Sequence, residues 1–181
     1  MLRECMRLAR EEQRVVVFLE PIALYPMRDL DAEKDGGWLT RYPAPGETIP
    51  LGDVGMHGDG KDLAIVTYAN GYYLSRKAEP QLKAAGIDAR IIDMRWLAPL
   101  PAEALLKAVD GCKRILVVDE CRRTGGQAEA LMTLFAENTK VPTARVTAED
   151  SFIATGPAYG ATLPSVDAII EAAVSSTGAR R

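Results

Sequence analysis

The run Ile115-Leu-Val-Val-Asp119-Glu120 decides the fold, with Cys121-Arg-Arg-Thr-Gly-Gly126 and Gln127-Ala-Glu-Ala-Leu-Met-Thr-Leu-Phe135 behind it. Four aliphatic residues without a polar interruption suit a strand buried on both faces. Two acids close the strand, and Gly125-Gly126 gives the backbone the freedom to turn into a helix. In that helix Ala128, Leu131, Met132 and Phe135 recur at i, i+3, i+4 and i+7, one apolar stripe. Strand, glycine turn and amphipathic helix form the repeating unit of an open parallel sheet. Ligands in such sheets bind outside the carboxyl ends of the strands.

Outward from this unit the pattern repeats. Leu63-Ala-Ile-Val-Thr67-Tyr68 is a buried strand, Asn70-Gly71 its turn, and Leu74, Ala78, Leu82 and Ala85 the stripe of the next helix. Pro80 falls inside that helix and should kink it or weaken a turn. Residues 89–93 form a strand, and a short helix follows with Leu105, Leu106 and Val109 inward. Residues 143–146 make a last strand. Pro164 opens a final helix that turns Val166, Ile169, Ile170 and Ala173 to one side. Ile49-Pro-Leu51 reads as a short edge strand, the proline barring it from the sheet interior. Alternating strands and helices predict an α/β fold with a mostly parallel sheet and helices on both faces.

The N-terminal part is different. Residues 2–12 read as a helix with Leu2, Cys5, Met6 and Ala9 on one side, and residues 15–19 as an apolar strand. This pair is too small to hide its own strand and looks like the end of another domain, spanning residues 1–20. Residues 21–47 carry four prolines and no period, which predicts a wrapping linker anchored by Tyr25, Trp38 and Tyr42. Residues 48–175 form the main domain, and the tail 176–181 should fray.

Composition narrows the function classes. Of the 181 residues 48% are hydrophobic and 26% charged, and the net charge is −3 with scattered Lys and Arg. That balance argues against nucleic acid as a partner. No apolar run approaches the ~20 residues that span a bilayer, so no membrane is expected. Cys5, Cys112 and Cys121 are widely spaced, with no Cys-x-x-Cys pair and one histidine, His57. They read as reduced thiols of a cytoplasmic protein rather than as a metal site.

Several residues invite chemistry. Gly55-Met-His-Gly-Asp-Gly60-Lys61-Asp62 matches a phosphate loop up to the lysine but lacks the Ser or Thr that binds magnesium. It also leads into a strand rather than into a helix, so a flexible turn is expected, with His57 a solvated loop residue. Cys121 lies beside two arginines near a helix start, a setting that lowers thiol pKa values, but no histidine partner is evident. Asp119 and Glu120 could hold a metal or form an acid/base pair. Adjacent strand residues point to opposite faces, so the alternative is that one caps a helix or pairs with Arg123. The crevice or interface candidates are Tyr68, Asn70, Gly71, Glu120, Arg123, Thr124, Gly125 and Gly126. No residue is assigned a catalytic, cofactor-binding or metal role.

Six segments in order resemble the beta subunit of thiamine-diphosphate-dependent 2-oxoacid dehydrogenases, the pyruvate, branched-chain 2-oxoacid and acetoin group. They are Phe18-Leu-Glu-Pro-Ile-Ala-Leu-Tyr25, Ile49-Pro-Leu-Gly52, Asp62-Leu-Ala-Ile-Val-Thr-Tyr68, Ile92-Asp-Met-Arg-Trp-Leu-Ala-Pro-Leu100, Val117 to Gly126, and Leu163-Pro-Ser-Val-Asp-Ala-Ile-Ile170. The resemblance implies a transketolase C-terminal-like domain: three α/β/α layers with a five-stranded sheet whose first strand is antiparallel. It places the strands at Leu63 and Ile115 side by side at the centre. It implies that residues 1–20 are the last helix and strand of a pyrimidine-binding domain. The activating glutamate, the active-site histidine and the magnesium motif then lie outside this chain. Thiamine diphosphate and magnesium are implied for the parent enzyme and not for this polypeptide alone. The implied role is assembly, with an alpha part, a second beta part and the lipoyl acyltransferase core as partners, and a homo-oligomer is expected. Ile153-Ala-Thr-Gly-Pro-Ala-Tyr-Gly160 departs from the family's Pro-Tyr-Ala-Pro stretch, as in a form with fused alpha and beta parts. The competing expectation is a stand-alone module with a small-molecule site in the crevice near Asn70 and Thr124.

Overall fold

In a computed structural model, described over residues 1–179, five strands form one sheet in the order β1-β3-β2-β4-β5. They are β1 (Gly55–His57), β2 (Leu63–Thr67), β3 (Ala89–Asp93), β4 (Ile115–Arg122) and β5 (Thr143–Ala148). β1 runs antiparallel to β3, with Met56 opposite Ile92; all other pairs are parallel. The five helices are α1 (Leu2–Glu11), α2 (Ala69–Ala84), α3 (Ala102–Val109), α4 (Gln127–Asn138) and α5 (Val166–Thr177). The expected α/β/α layers and the central placement of β2 beside β4 are both present.

The apolar runs are uninterrupted because each strand feeds two cores. Ala64, Val66, Ile115 and Val117 pack against Leu105 of α3 and Leu131 and Phe135 of α4. Their neighbours Leu63, Ile65, Leu116 and Val118 point the other way, onto Ala78 and Leu82 of α2 and Ile169 of α5. Pro80 sits on the exposed face of an uninterrupted α2. There the carbonyl it leaves unpaired can be hydrated, and the helix continues.

Four expectations need correction. The antiparallel edge strand is Gly55–His57, not Ile49-Pro-Leu51. Pro50 instead accepts a hydrogen bond from the Asp53 amide at 3.1 Å, closing a turn in which Gly52 has φ 92°. Residues 15–19 form no strand and join no sheet. Helix α1 buries Glu4, Cys5 and Leu8 while Leu2, Met6 and Ala9 face outward. The cause is tertiary: Cys5 and Leu8 pack on Trp96, and Glu4 is tolerated at that face because Arg7 pairs with it at 2.6 Å. Finally, α5 continues through Thr177 and ends on the left-handed Gly178, beyond the point where fraying is expected. Arg180 and Arg181 of that tail lie outside the described residues.

The connection over residues 21–47 braces itself and leans on α2. Asp35 accepts the amides of Leu30, Asp31, Ala32 and Gly37, which holds its carboxyl well below the usual carboxylate range. Trp38 lies edge-on to Tyr73 at 4.9 Å, and the Tyr73 hydroxyl donates to the Asp29 carbonyl at 3.1 Å. Tyr25 and Tyr42 are exposed, so Trp38 alone of the three expected aromatic anchors packs on the domain. Residues 149–162 form a loop pinched at its neck by Glu149 N–H and the Thr162 carbonyl, 2.9 Å apart, with Phe152, Ile153 and Tyr159 exposed.

Candidate functional site

From β2 the chain crosses to β3 on one side, and β4 returns on the other, so the switch point lies between the carboxyl ends of β2 and β4. Side chains bridge that crevice. The Tyr68 hydroxyl donates to Asp119 Oδ1 at 2.6 Å, and Asn70 Nδ2 donates to Glu120 Oε1 at 3.1 Å. Asp119, 0% exposed, also accepts the Cys121 amide on Oδ1 at 2.9 Å and the Ala128 amide on Oδ2 at 2.7 Å. It therefore caps the first turn of α4, the structural alternative left open by the sequence. Burial, reinforced by the hydrogen bond to Asp119, pushes the Tyr68 phenol far above its usual range. A carboxylate already accepting three donors is poorly placed to take a proton from a substrate.

The glycines here fit close approaches. A Cβ on Gly71 would strike the Thr67 hydroxyl, and one on Gly126 would lie 2.7 Å from the Arg122 carbonyl. Gly125 has φ 73°, which opens the turn.

The predicted residues divide into two groups. Tyr68, Asn70, Gly71 and Glu120 come together at the crevice. Arg123, Thr124, Gly125 and Gly126 form an outward rim at the start of α4. Thr124 is pinned to Asp150 through its amide at 2.8 Å and its hydroxyl at 2.6 Å, which holds the Asp150 carboxyl below its usual range. The Gly125 amide donates to Glu129 at 3.0 Å. Arg123 does not join Asp119 or Glu120: its carbonyl accepts Arg145 Nη1 at 3.2 Å, and its side chain is exposed.

An open groove lies to one side of the crevice. With a volume of about 940 Å³, it runs between the ends of β2 and β3 and residues 14–21. Asp93, Arg95 and Trp96 contribute to its wall, and sequence patterns did not single them out. Arg95 Nε lies 3.4 Å from Asp93, whose carboxyl is pushed up by burial against the opposing pull of that guanidinium. Gly55 makes room for Arg95, since a Cβ there would sit 2.5 Å from the guanidinium. The only mark of Asp93, Arg95 and Trp96 in the sequence is their place in the family-like segment from Ile92 to Leu100.

The glycine-rich segment 55–62 is no phosphate cradle. It leaves β1 and enters β2, and its Gly60 lies where a Cβ would meet the Asp88 backbone at 2.5 Å. His57 is a β1 residue rather than a solvated loop residue, with Nε2 2.9 Å from Glu79 Oε2; Arg76 Nε approaches the same oxygen at 3.4 Å. These residues, and the saturated Asp119, do not fit a diphosphate with its magnesium. Among the described residues no helix is long and apolar enough to cross a membrane.

Comparison with known proteins accords with this geometry. Residues 52–169 match the family described as the transketolase C-terminal domain. The chain is 30% identical over 162 residues to the pyruvate dehydrogenase E1 component subunit beta of Bacillus subtilis (strain 168), covering 87% of this chain and 47% of that protein. It is 31% identical over 132 residues to 1-deoxy-D-xylulose-5-phosphate synthase of Halothermothrix orenii, covering 70% of this chain and 21% of that enzyme. Among solved structures, a split-gene transketolase described as an inactive beta4 tetramer superposes with TM-score 0.66. It is 23% identical over 79% of this chain and 47% of its own, a likeness of fold. The chain thus spans about half the length of the pyruvate dehydrogenase subunit it matches. With a matched region covering most of the sheet and its helices, this chain belongs to the transketolase C-terminal domain family.

Proposed function

We propose that this chain is the assembly domain of the decarboxylating component of a cytoplasmic 2-oxoacid dehydrogenase complex, acting on pyruvate or a branched-chain 2-oxoacid. The observation that carries this is the similarity to a pyruvate dehydrogenase beta subunit across 87% of the chain. In the parent enzyme, thiamine diphosphate with magnesium would supply the carbanion chemistry of decarboxylation and acyl transfer to a lipoyl arm. This polypeptide supplies contacts instead. Residues 1–20 are the end of a pyrimidine-binding domain completed from elsewhere. The rim from Glu120 to Gly126, with Arg123 exposed, meets the alpha part or a second beta part, and the acyltransferase core is the further partner. Support comes from the crevice, where Tyr68 is already bonded to Asp119 and Asn70 to Glu120, so these polar groups have partners within the chain. The same bridges disfavour the stand-alone small-molecule module.

Calorimetric titration of the isolated chain with thiamine diphosphate and magnesium is expected to give no binding heat. Tight, magnesium-dependent binding by this polypeptide alone would overturn the assignment.

A further inference from the structure

One corner of the sheet gathers three guanidinium groups. Arg122 ends β4, Arg123 follows it, and Arg145 comes from β5, the strand at the sheet's edge. Arg122 and Arg123 are exposed and Arg145 is partly buried. Backbone carbonyls steady two of them: Arg122 Nε donates to the Thr124 carbonyl at 3.0 Å, and Arg145 Nη1 to the Arg123 carbonyl at 3.2 Å. Among the described residues none of the three pairs with a carboxylate, whereas Arg7, Arg14, Arg76 and Arg95 each do.

Acids lie nearby, but uncharged donors hold them. Both oxygens of Asp150 go to Thr124, Glu129 accepts the Gly125 amide, and Glu120 accepts the Asn70 amide group. The corner therefore keeps a surplus of positive charge on a chain whose net charge is −3. Like charges held side by side repel, and an incoming opposite charge relieves that repulsion. All three are arginines. The planar guanidinium matches a carboxylate through two parallel hydrogen bonds, and arginine is enriched at protein interfaces where lysine is depleted. Neither the groove beside residues 14–21 nor the hollow between the ends of α3 and α4 includes any of them. Small ligands bind in concave sites, so an open corner of this charge favours a polypeptide segment. The N-terminal residues do not cover it: they pack on Trp96 beyond the end of β3, three strand positions from β5.

We propose that Arg122, Arg123 and Arg145 form a docking patch for an acidic segment of a partner polypeptide, whose Asp and Glu carboxylates pair with the guanidiniums. The inference supplies the contact chemistry of the rim and, in taking that polypeptide to be a partner subunit, rests on the assembly role.

Fluorescence anisotropy of a labelled oligoglutamate peptide, titrated with the 181-residue chain at low ionic strength, tests it. The peptide is expected to bind, and added salt should weaken the binding. Arg123→Glu should weaken it roughly fivefold or more, and Arg122→Glu/Arg123→Glu further. Arg41→Glu, at an exposed position of the 21–47 connection, changes the net charge equally and should leave the affinity unchanged. Circular dichroism should be the same for all variants, because the substituted side chains are exposed. Absence of peptide binding would overturn the proposal. So would an Arg41→Glu loss as large as that of Arg123→Glu, or tighter binding of a single-stranded oligonucleotide than of the peptide. Any of these outcomes leaves the assembly role standing, since the thiamine diphosphate titration tests that separately.

Discussion

Asp119 shows how one buried side chain can hold a crevice shut. Its carboxylate gathers the Tyr68 hydroxyl and the amides of Cys121 and Ala128, and so ties β2, the end of β4 and the start of α4 together. Removing it leaves the buried Ala128 amide and two part-buried donors without their acceptor. Asp119→Ala is therefore expected to destabilise the chain by about 3–5 kcal/mol, against about 1–2 kcal/mol for Tyr68→Phe, which leaves the carboxylate its two amides. Urea denaturation of both variants checks the order; equal losses would mean that Asp119 is not the hub. Asp119 and Glu120 were visible in the sequence because acids at the end of an apolar strand stand out. Their division of labour was not visible, because it depends on Tyr68 and Asn70, some fifty residues earlier in the chain. Arg95 and Trp96 were missed for a related reason: neither belongs to a periodic pattern, and the room for Arg95 is made by Gly55 on a different strand.

At the scale of elements, periodicity served where an element packs along its whole length and failed where it does not. The stripes of α2, α3, α4 and α5 are the ones the sequence predicts, because each lies across the sheet. Helix α1 touches only a patch around Trp96, so its apolar pattern and its buried face differ. The short strand β1 was hidden by its glycine and histidine, which resemble a turn. The connection before it is held chiefly where Trp38 meets Tyr72 and Tyr73. Trp38→Ala should cost about 1–2 kcal/mol of global stability. It should also make the chain near Lys34 and Arg41 far more sensitive to limited trypsin digestion, since the loop loses its purchase on α2. Cleavage at the wild-type rate would show that the connection is held by other contacts.

The whole molecule divides into a self-sufficient sheet domain and an N-terminal part that leans on it. Both principal cores are drawn from Val54 onward. Deleting residues 1–47 is expected to preserve the far-ultraviolet dichroism of the sheet domain and a cooperative thermal transition. Trp96 would then be the only tryptophan, and loss of its cover by Cys5, Leu8 and Val16 should red-shift its fluorescence. A shortened chain that does not fold would show that α1 and the connection are integral to the domain. The sequence by itself determined the α/β layers, four of the five strands and the faces of four helices. Those are set by local hydrophobic period, which burial against a two-sided sheet enforces. Only the tertiary structure decided that the antiparallel edge is Gly55–His57, that residues 15–19 find no strand to pair with, and that Asp119 caps α4 while bridging to Tyr68. Each of these depends on which distant segment arrives alongside, and hydrogen-bond partners far apart in the chain leave no periodic trace in it.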